Sequence, residues 1–305
     1  MADHDTAVHD TAVLDRLREV RGFVLDMDGT LVLGDRDNKG LRPLPGVEAL
    51  FVALTELGLP FRIFTNGTSR TPRRYAHALQ ALGFPVPDDG VLTPASTAVD
   101  VLHQHGHRRV MVLGGTGITE PLEAAGLETV PPLPATRADA VLAGWFRQEL
   151  TFDALEAACE AVSGGAQFYS ASESLFFATA HGRQLGTSRA ISAVVRDVTG
   201  CRVTVVGKPA LPALGSAARH LGVAPHELAV VGDDPELEVP MAHKGGALAV
   251  AVHTGIGHAR SFVDLPAELR PHLDLPDVGV LAHLLTAARS RVPGRGVSRA
   301  DRPDP

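Results

Sequence analysis

Two cysteines, Cys159 and Cys201, are all that the 305-residue sequence contains, and they stand in no metal-ligand spacing. A disulfide scaffold is excluded, and reduced thiols point to a cytoplasmic protein. No uninterrupted apolar run reaches the roughly 18–20 residues that cross a bilayer, so no membrane partner is expected. The first residues are polar and acidic, without the basic-then-apolar order of a secretory signal. Basic charge is also short, with 28 Lys and Arg against 35 Asp and Glu, a formal charge of −7. That balance argues against a protein that coats a nucleic-acid backbone. It leaves room for a phosphorylated small molecule, because one positive pocket can sit inside an acidic surface.

The pentapeptide HDTAV occurs at residues 4–8 and again at 9–13, too short a duplication to build a repeat fold. Residues 1–19 are expected to form a flexible arm that runs into a helix near Val13–Val20. Residues 289–305, rich in Pro, Gly and Arg, are expected to be a disordered tail. Between these ends short apolar runs alternate with amphipathic stretches. GFVLD, FRIFT, RVMVL, RVTVV (202–206), LAVVGD and ALAVAV read as buried parallel strands. Val47, Leu50, Phe51, Leu54 and Leu57 keep helical spacing, as do Leu211, Leu214, Ala218 and Leu221. The alternation is that of an α/β fold, a doubly wound parallel sheet with helices on both faces. The middle of the chain carries its own strands and helices. The economical division is a core at 20–97 and 201–288 with a second α/β unit inserted at 98–200.

The sharpest local pattern is VLDMDGTL, in which a buried strand ends at Asp26 and Asp28 follows two residues on. Ligands of open α/β sheets bind at the carboxyl ends of strands, so both acids would project into a cleft. One carboxylate can attack phosphorus, and a second at fixed spacing can protonate the leaving oxygen and then activate water. A lone DxD is equally a solvated turn. Three further strand ends change that balance. FRIFTNGTSR brings Thr65 and Asn66, suited to phosphoryl oxygens, although an N-cap explains them too. VVGKP brings Lys208, a point charge that can offset phosphate. VVGDDPELE brings Asp233, Asp234 and Glu238, carboxylates that repel one another unless a cation such as magnesium joins them.

DxDGT, TN, GKP and GDD, in this order, resemble the four motifs of the haloacid dehalogenase (HAD) superfamily. The span from about Gly22 to Leu285 is similar to its class IIA branch, the NagD-like and nitrophenylphosphatase-like phosphatases, in LPGVEAL, TNGTSR, LTFDALEAA, GAQF, VVGKP and AVHTGIG. The resemblance implies a HAD-like core with an inserted cap, Mg2+ as cofactor and a small phosphorylated metabolite as substrate. It makes Asp26 the nucleophile and Asp28 the general acid and base. Thr65 and Asn66 would bind the phosphoryl group, and Lys208 would neutralise charge beside it. Asp26, the backbone carbonyl of Asp28 and Asp233 would hold the metal, with Asp234 and Glu238 as nearby acids. Frequent pairing through the cap in that family makes a homodimer an option here.

The sequence departs from the family pattern at Glu238, where Asp is usual, and in the cap, where Ser172 and Ser174 stand for an Asn-x-Asp pair. Trp145 and Phe146 replace an acidic residue and are candidates for specificity. The loop GDRDNKGLR is longer than typical. GGTGITE (114–120) is read as a structural turn rather than a cofactor loop, and HQHGH (103–107) as a solvated helix end rather than a zinc site. Tyr169, Phe176 and Phe177 are assigned to the core. Two rivals remain: a regulatory protein that binds a phosphate ligand without turnover, and a 2-haloacid dehalogenase, which would have no use for Asp28.

Overall fold

The computed structural model describes residues 11–35, 39–180, 182–255 and 262–290. The first HDTAV copy, positions 36–38 of the long loop, the end of AVHTGIG and the 291–305 tail lie outside them.

Six parallel strands form the first sheet, in the order Leu273–Leu275, Leu248–Val252, Leu228–Gly232, Gly22–Leu25, Phe61–Phe64 and Val91–Leu92. Its central strand, Gly22–Leu25, is buried on both faces, as expected where helices cover a sheet from each side. Alternation along that strand divides the packing. Phe23 and Leu25 join a cluster with Leu50, Leu54 and Leu281, while Val24 faces Leu214, Ala217 and Met241 on the other side. Most of the apolar surface removed from water lies in these two layers, at about 25 cal/mol per Å2 the main favourable contribution to folding.

The helix expected near Val13–Val20 spans Thr11–Glu19 and buries Leu17 completely. That part of the supposed flexible arm is therefore packed onto the core. At the other end the helix Val278–Ser290 extends beyond the expected limit at 288.

The second sheet has five parallel strands in the order Val203–Val205, Gln167–Ser170, Ala140–Ala143, Arg109–Leu113 and Glu128–Val130. RVTVV opens the expected core segment 201–288, yet this strand joins the second sheet. Val203–Val205 pairs in register with Phe168–Ser170. An apolar run of this length says that a strand is buried but not which sheet edge it joins. The helix Pro94–Gln104 likewise begins ahead of the expected boundary at 98. Met111, Val141 and Phe168 face the helices Phe152–Ser163 and Thr187–Thr199; Val110, Val112 and Leu142 face the opposite layer with Leu102 and Ile118.

A short antiparallel hairpin, Phe176–Thr179 with Gly182–Leu185, stands apart from this sheet. The Ala180 N–H donates to the Gly34 carbonyl at 2.7 Å, so the hairpin touches the loop that follows VLDMDGTL. Among the described residues no helix is long and apolar enough to cross a membrane.

Candidate active site

The carboxyl ends of both sheets face a cavity of about 110 Å3. Asp26 and Asp28 enter it from the end of the Gly22–Leu25 strand, Thr65 and Asn66 from Phe61–Phe64, and Asp233 and Asp234 from Leu228–Gly232. Trp145, Ser172 and Ser174 close it from the second sheet. Ten of the twelve side chains singled out in the sequence thus line one space. Lys208 lies just behind it, and Phe146 does not belong.

Lys208 is 1% exposed, and its ammonium ion-pairs with Asp26 Oδ1 and, at 2.7 Å, with Glu238 Oε1. Burial alone would depress its pKa, but the Asp26 and Glu238 carboxylates outweigh that and hold it above the usual lysine range. Burial pushes Glu238 up to about 8, even against the Lys208 charge, with Asp26 and Asp234 adding repulsion. One ammonium thus serves two buried carboxyl groups and stays charged. The longer Glu238 side chain fits because Gly232 lacks a Cβ; one built there would lie 2.1 Å from Glu238 Cγ. Glu238 Oε2 also accepts from the Asp234 N–H at 3.2 Å.

Asp28 has its pKa raised to about 7, chiefly by burial and then by the Asp26 charge. The Thr65 hydroxyl donates to Asp28 Oδ2 at 3.0 Å and accepts from the Gly67 N–H at 3.0 Å. A hydroxyl has one proton to donate, so in this state Thr65 is committed to Asp28. Asn66 is engaged as well. Its Oδ1 accepts from the Lys208 N–H at 2.9 Å, and its Nδ2 donates to the Lys208 carbonyl and to Ser172 Oγ. The side chain expected to hold phosphate therefore grips the Lys208 backbone, and it joins that backbone to the cap serines, where Ser172 Oγ donates to Ser174 Oγ. Asp234 is raised to about 6, first by burial.

A metal ion fits the arrangement on two observations. Asp26 Oδ2 is buried without a hydrogen-bond partner, a costly state for a carboxylate oxygen that a cation would relieve. Asp233, 2% exposed, lies against glycine on two sides: a Cβ on Gly29 would fall 2.5 Å from its Oδ2, and one on Gly255 1.9 Å. No cluster of three or more His, Cys, Asp or Glu side chains suited to a metal forms among the described residues. The expected set asks for two, Asp26 and Asp233, with the Asp28 carbonyl as the third donor. Oxygen-only donors with room for water suit magnesium.

The aromatic assignments change on this side of the cavity. Phe146 is 8% exposed and packs with Phe168 and Ala143 in the cap core, so it is not a specificity residue. Phe176 and Phe177, assigned to the core, line the cavity instead. Tyr75, Thr187 and Ser188 also line the cavity, and nothing local in the sequence marked them. Tyr169 is core, as expected, and accounts for the histidine cluster: its hydroxyl bonds His105 Nδ1 at 2.6 Å and His107 Nε2 at 2.9 Å. His107 is therefore buried rather than a solvated helix end. Gly117, in the GGTGITE turn, packs on the Thr68 carbonyl, 2.2 Å from where its Cβ would sit.

Comparison with known proteins agrees with this geometry. A family model described as haloacid dehalogenase-like hydrolase matches residues 23–128, and a HAD-hydrolase-like model matches 205–281. The 5′-nucleotidase YutF of Bacillus subtilis is 26% identical over 249 residues, covering 81% of this chain and 93% of its own. The structure of 4-nitrophenylphosphatase from Thermotoga maritima superposes with a TM-score of 0.77 at 26% identity, over 88% of this chain and 98% of that one. Glycerol phosphate phosphatase from Mycobacterium tuberculosis, solved in complex with magnesium, gives 0.75 at 26% identity, over 88% and 77%. With its strand-end carboxylate pair and its buried lysine at one cleft, the chain belongs to the haloacid dehalogenase-like hydrolases.

Proposed function

We propose that the chain hydrolyses a phosphomonoester of a small metabolite through an aspartyl phosphate on Asp26, with Mg2+ held by Asp26, the Asp28 carbonyl and Asp233. The observation that carries this reading is the unequal pair at one strand end. Asp26 is ion-paired to the buried Lys208 ammonium, whereas Asp28, which accepts from the Thr65 hydroxyl, has its pKa lifted to about 7. A general acid must be protonated when the leaving group departs, and the raised Asp28 pKa suits that role.

In the first step an Asp26 oxygen bonds phosphorus, the ester P–O bond breaks, and the departing alkoxide takes the Asp28 proton. In the second, Asp28 as carboxylate accepts a proton from water, the water oxygen bonds phosphorus, and the P–O bond to Asp26 breaks. Lys208 stabilises charge on Asp26 and on the phosphoryl oxygens throughout. Magnesium, when bound, supplies further positive charge against those oxygens. The Thr65 hydroxyl turns from Asp28 to a phosphoryl oxygen as the substrate enters. Residues 98–200, together with the Val203–Val205 strand, act as the cap that closes over the leaving group. Nucleotides, glycerol phosphate and nitrophenyl esters, the compounds in the relatives' names, share only the phosphomonoester, which is the part these residues address.

Phosphate release from a set of phosphomonoesters, with and without magnesium, tests this together with Asp26→Asn. Magnesium-dependent release that the variant loses is the expected result. A fully active Asp26→Asn would sink the covalent mechanism. The altered cap serines, Ser172 and Ser174, keep a second reading open, that of a phosphate-ligand binder without turnover; measurable ligand binding with no release from any ester would favour it.

A further inference from the structure

The leaving-group half of the cavity is aromatic and neutral. Trp145 and Phe177 meet edge to face, ring centroids 5.9 Å apart at 75°. The Trp145 backbone N–H donates to Thr68 Oγ1 at 2.8 Å, and Thr68 is 3% exposed, so the main chain that carries the ring is held from the core side. Phe176 also lines the cavity yet remains 45% exposed, apolar surface that the described residues leave partly uncovered. Around these rings the lining is hydroxyl: Ser69, Ser172, Ser174, Thr187 and Ser188. Among the described residues the charged side chains that line the cavity are carboxylates; Lys208 lies behind them on Asp26 and Glu238, and Arg70 acts on Asp28 from outside the lining.

Resting on the phosphatase reading above, we propose that the substrate's leaving group is an uncharged alcohol that carries an aromatic ring, gripped by Trp145, Phe176 and Phe177. Offset and edge-to-face contacts favour a ring over an alkyl chain of equal size, and the hydroxyl rim suits uncharged donors and acceptors on the same molecule. A second anionic group on the alcohol meets carboxylates instead of a counter-charge, and its desolvation goes uncompensated. The single negative group this cavity accommodates is the phosphoryl group itself, beside Lys208.

The test compares benzyl phosphate, ethyl phosphate, cyclohexylmethyl phosphate and 4-carboxybenzyl phosphate, all esters of simple primary alcohols. Differences in rate then report recognition rather than an activated leaving group. Benzyl phosphate is expected to exceed ethyl phosphate in kcat/KM by about 10- to 100-fold, from burial of the ring. It is also expected to exceed cyclohexylmethyl phosphate, and 4-carboxybenzyl phosphate is expected to fall at least about tenfold below it.

In Trp145→Ala and in Phe177→Leu, which keeps volume but loses the ring, the benzyl-to-ethyl ratio falls toward one, mainly through KM for the benzyl ester. Phe146→Ala, buried in the cap core beside the site, keeps the ratio and so separates recognition from general loosening of the cap. Equal use of benzyl and cyclohexylmethyl phosphate, a preference for the carboxylated ester, or a ratio unchanged in both ring variants would overturn the assignment while leaving the phosphatase standing. Release from none of the four esters, with benzyl phosphate also failing to compete for binding, overturns it as well. The Asp26→Asn comparison on other phosphomonoesters then decides separately on the phosphatase.

Discussion

The two walls of the cavity are built from different materials. On the core side five carboxyl groups surround a buried ammonium, and each side chain is held by a specific contact: Lys208 on Asp26 and Glu238, Thr65 on Asp28, glycines against Asp233. On the cap side rings and hydroxyls meet the cavity, with Phe176 largely open. Charge must be placed to within a fraction of an ångström before the reaction, because reorganising it during the reaction raises the barrier. Recognition of an organic group tolerates looser walls. The difference teaches that the chemistry and the selectivity of this chain are separable by mutation.

The largest effect should therefore come from the core wall. Asp28→Asn removes the proton donor and is expected to lower kcat/KM by about 10²- to 10⁴-fold, while Ser174→Ala stays within about tenfold of the parent. Steady-state kinetics on one ester checks both, and equal losses would break the distinction between the walls.

Stability should divide in the same way. Lys208→Met leaves Asp26 and Glu238 buried without their counter-charge, a loss of about 3–5 kcal/mol. Adding Glu238→Gln should recover part of that loss in urea unfolding without recovering hydrolysis. A double variant no more stable than the single one would mean that the trio is not held together by charge.

On the cap side the neighbours Trp145 and Phe146 sharpen the comparison. Phe146→Ala opens a cavity in the cap core and is expected to cost about 3 kcal/mol. Trp145, partly exposed toward the pocket, should cost clearly less when truncated. Thermal unfolding of the two variants ranks them, and the reverse order would return Trp145 to the core.

The smallest effect lies away from both walls, at His272 near the edge of the first sheet. Its Nδ1 accepts from the Ala249 N–H at 2.9 Å, which requires the neutral ring. Burial lowers its pKa to about 4, with Arg16 and His243 adding repulsion. The unfolded chain then binds a proton near pH 6.5 that the folded chain refuses until about 4, so stability falls as pH drops through that window. The ring is partly exposed, and after allowance for solvent screening the loss is about 1–2 kcal/mol. His272→Gln keeps an acceptor for Ala249 and should flatten this part of the pH–stability curve. An unchanged slope would assign the acid sensitivity elsewhere.

Much of the core wall was legible in the sequence. Asp26, Thr65 and Asp233 each follow directly on a short apolar run, and a buried parallel strand delivers the residue after it to one edge of the sheet whatever the rest of the chain does; Lys208 arrives instead from beyond the Val203–Val205 strand of the second sheet. What could not be read was how those side chains pair. That Asn66 grips the Lys208 backbone 142 residues away, or that Gly232 makes room for Glu238, depends on approaches across the fold. Glu238 in place of a shorter acid looked like a departure; in the structure its extra methylene carries it to Lys208.

The cap wall was the harder half. Phe146 and Trp145 are adjacent and equally apolar, yet one is core and the other lines the cavity. Phe176 and Phe177 reach it from a hairpin that bonds the distant Gly34 loop, a contact no local pattern announces. Strand 203–205 has the same pattern whichever sheet takes it.

Taken alone, the sequence determined the α/β class and the strand ends at which the clustered carboxylates meet. Both follow from local periodicity. Tertiary structure alone decided which sheet the 203–205 strand joins, which aromatics line the cavity, and that one buried ammonium pairs with both Asp26 and Glu238. Those outcomes depend on burial and on contacts between residues far apart in the chain, where desolvation sets both packing and pKa.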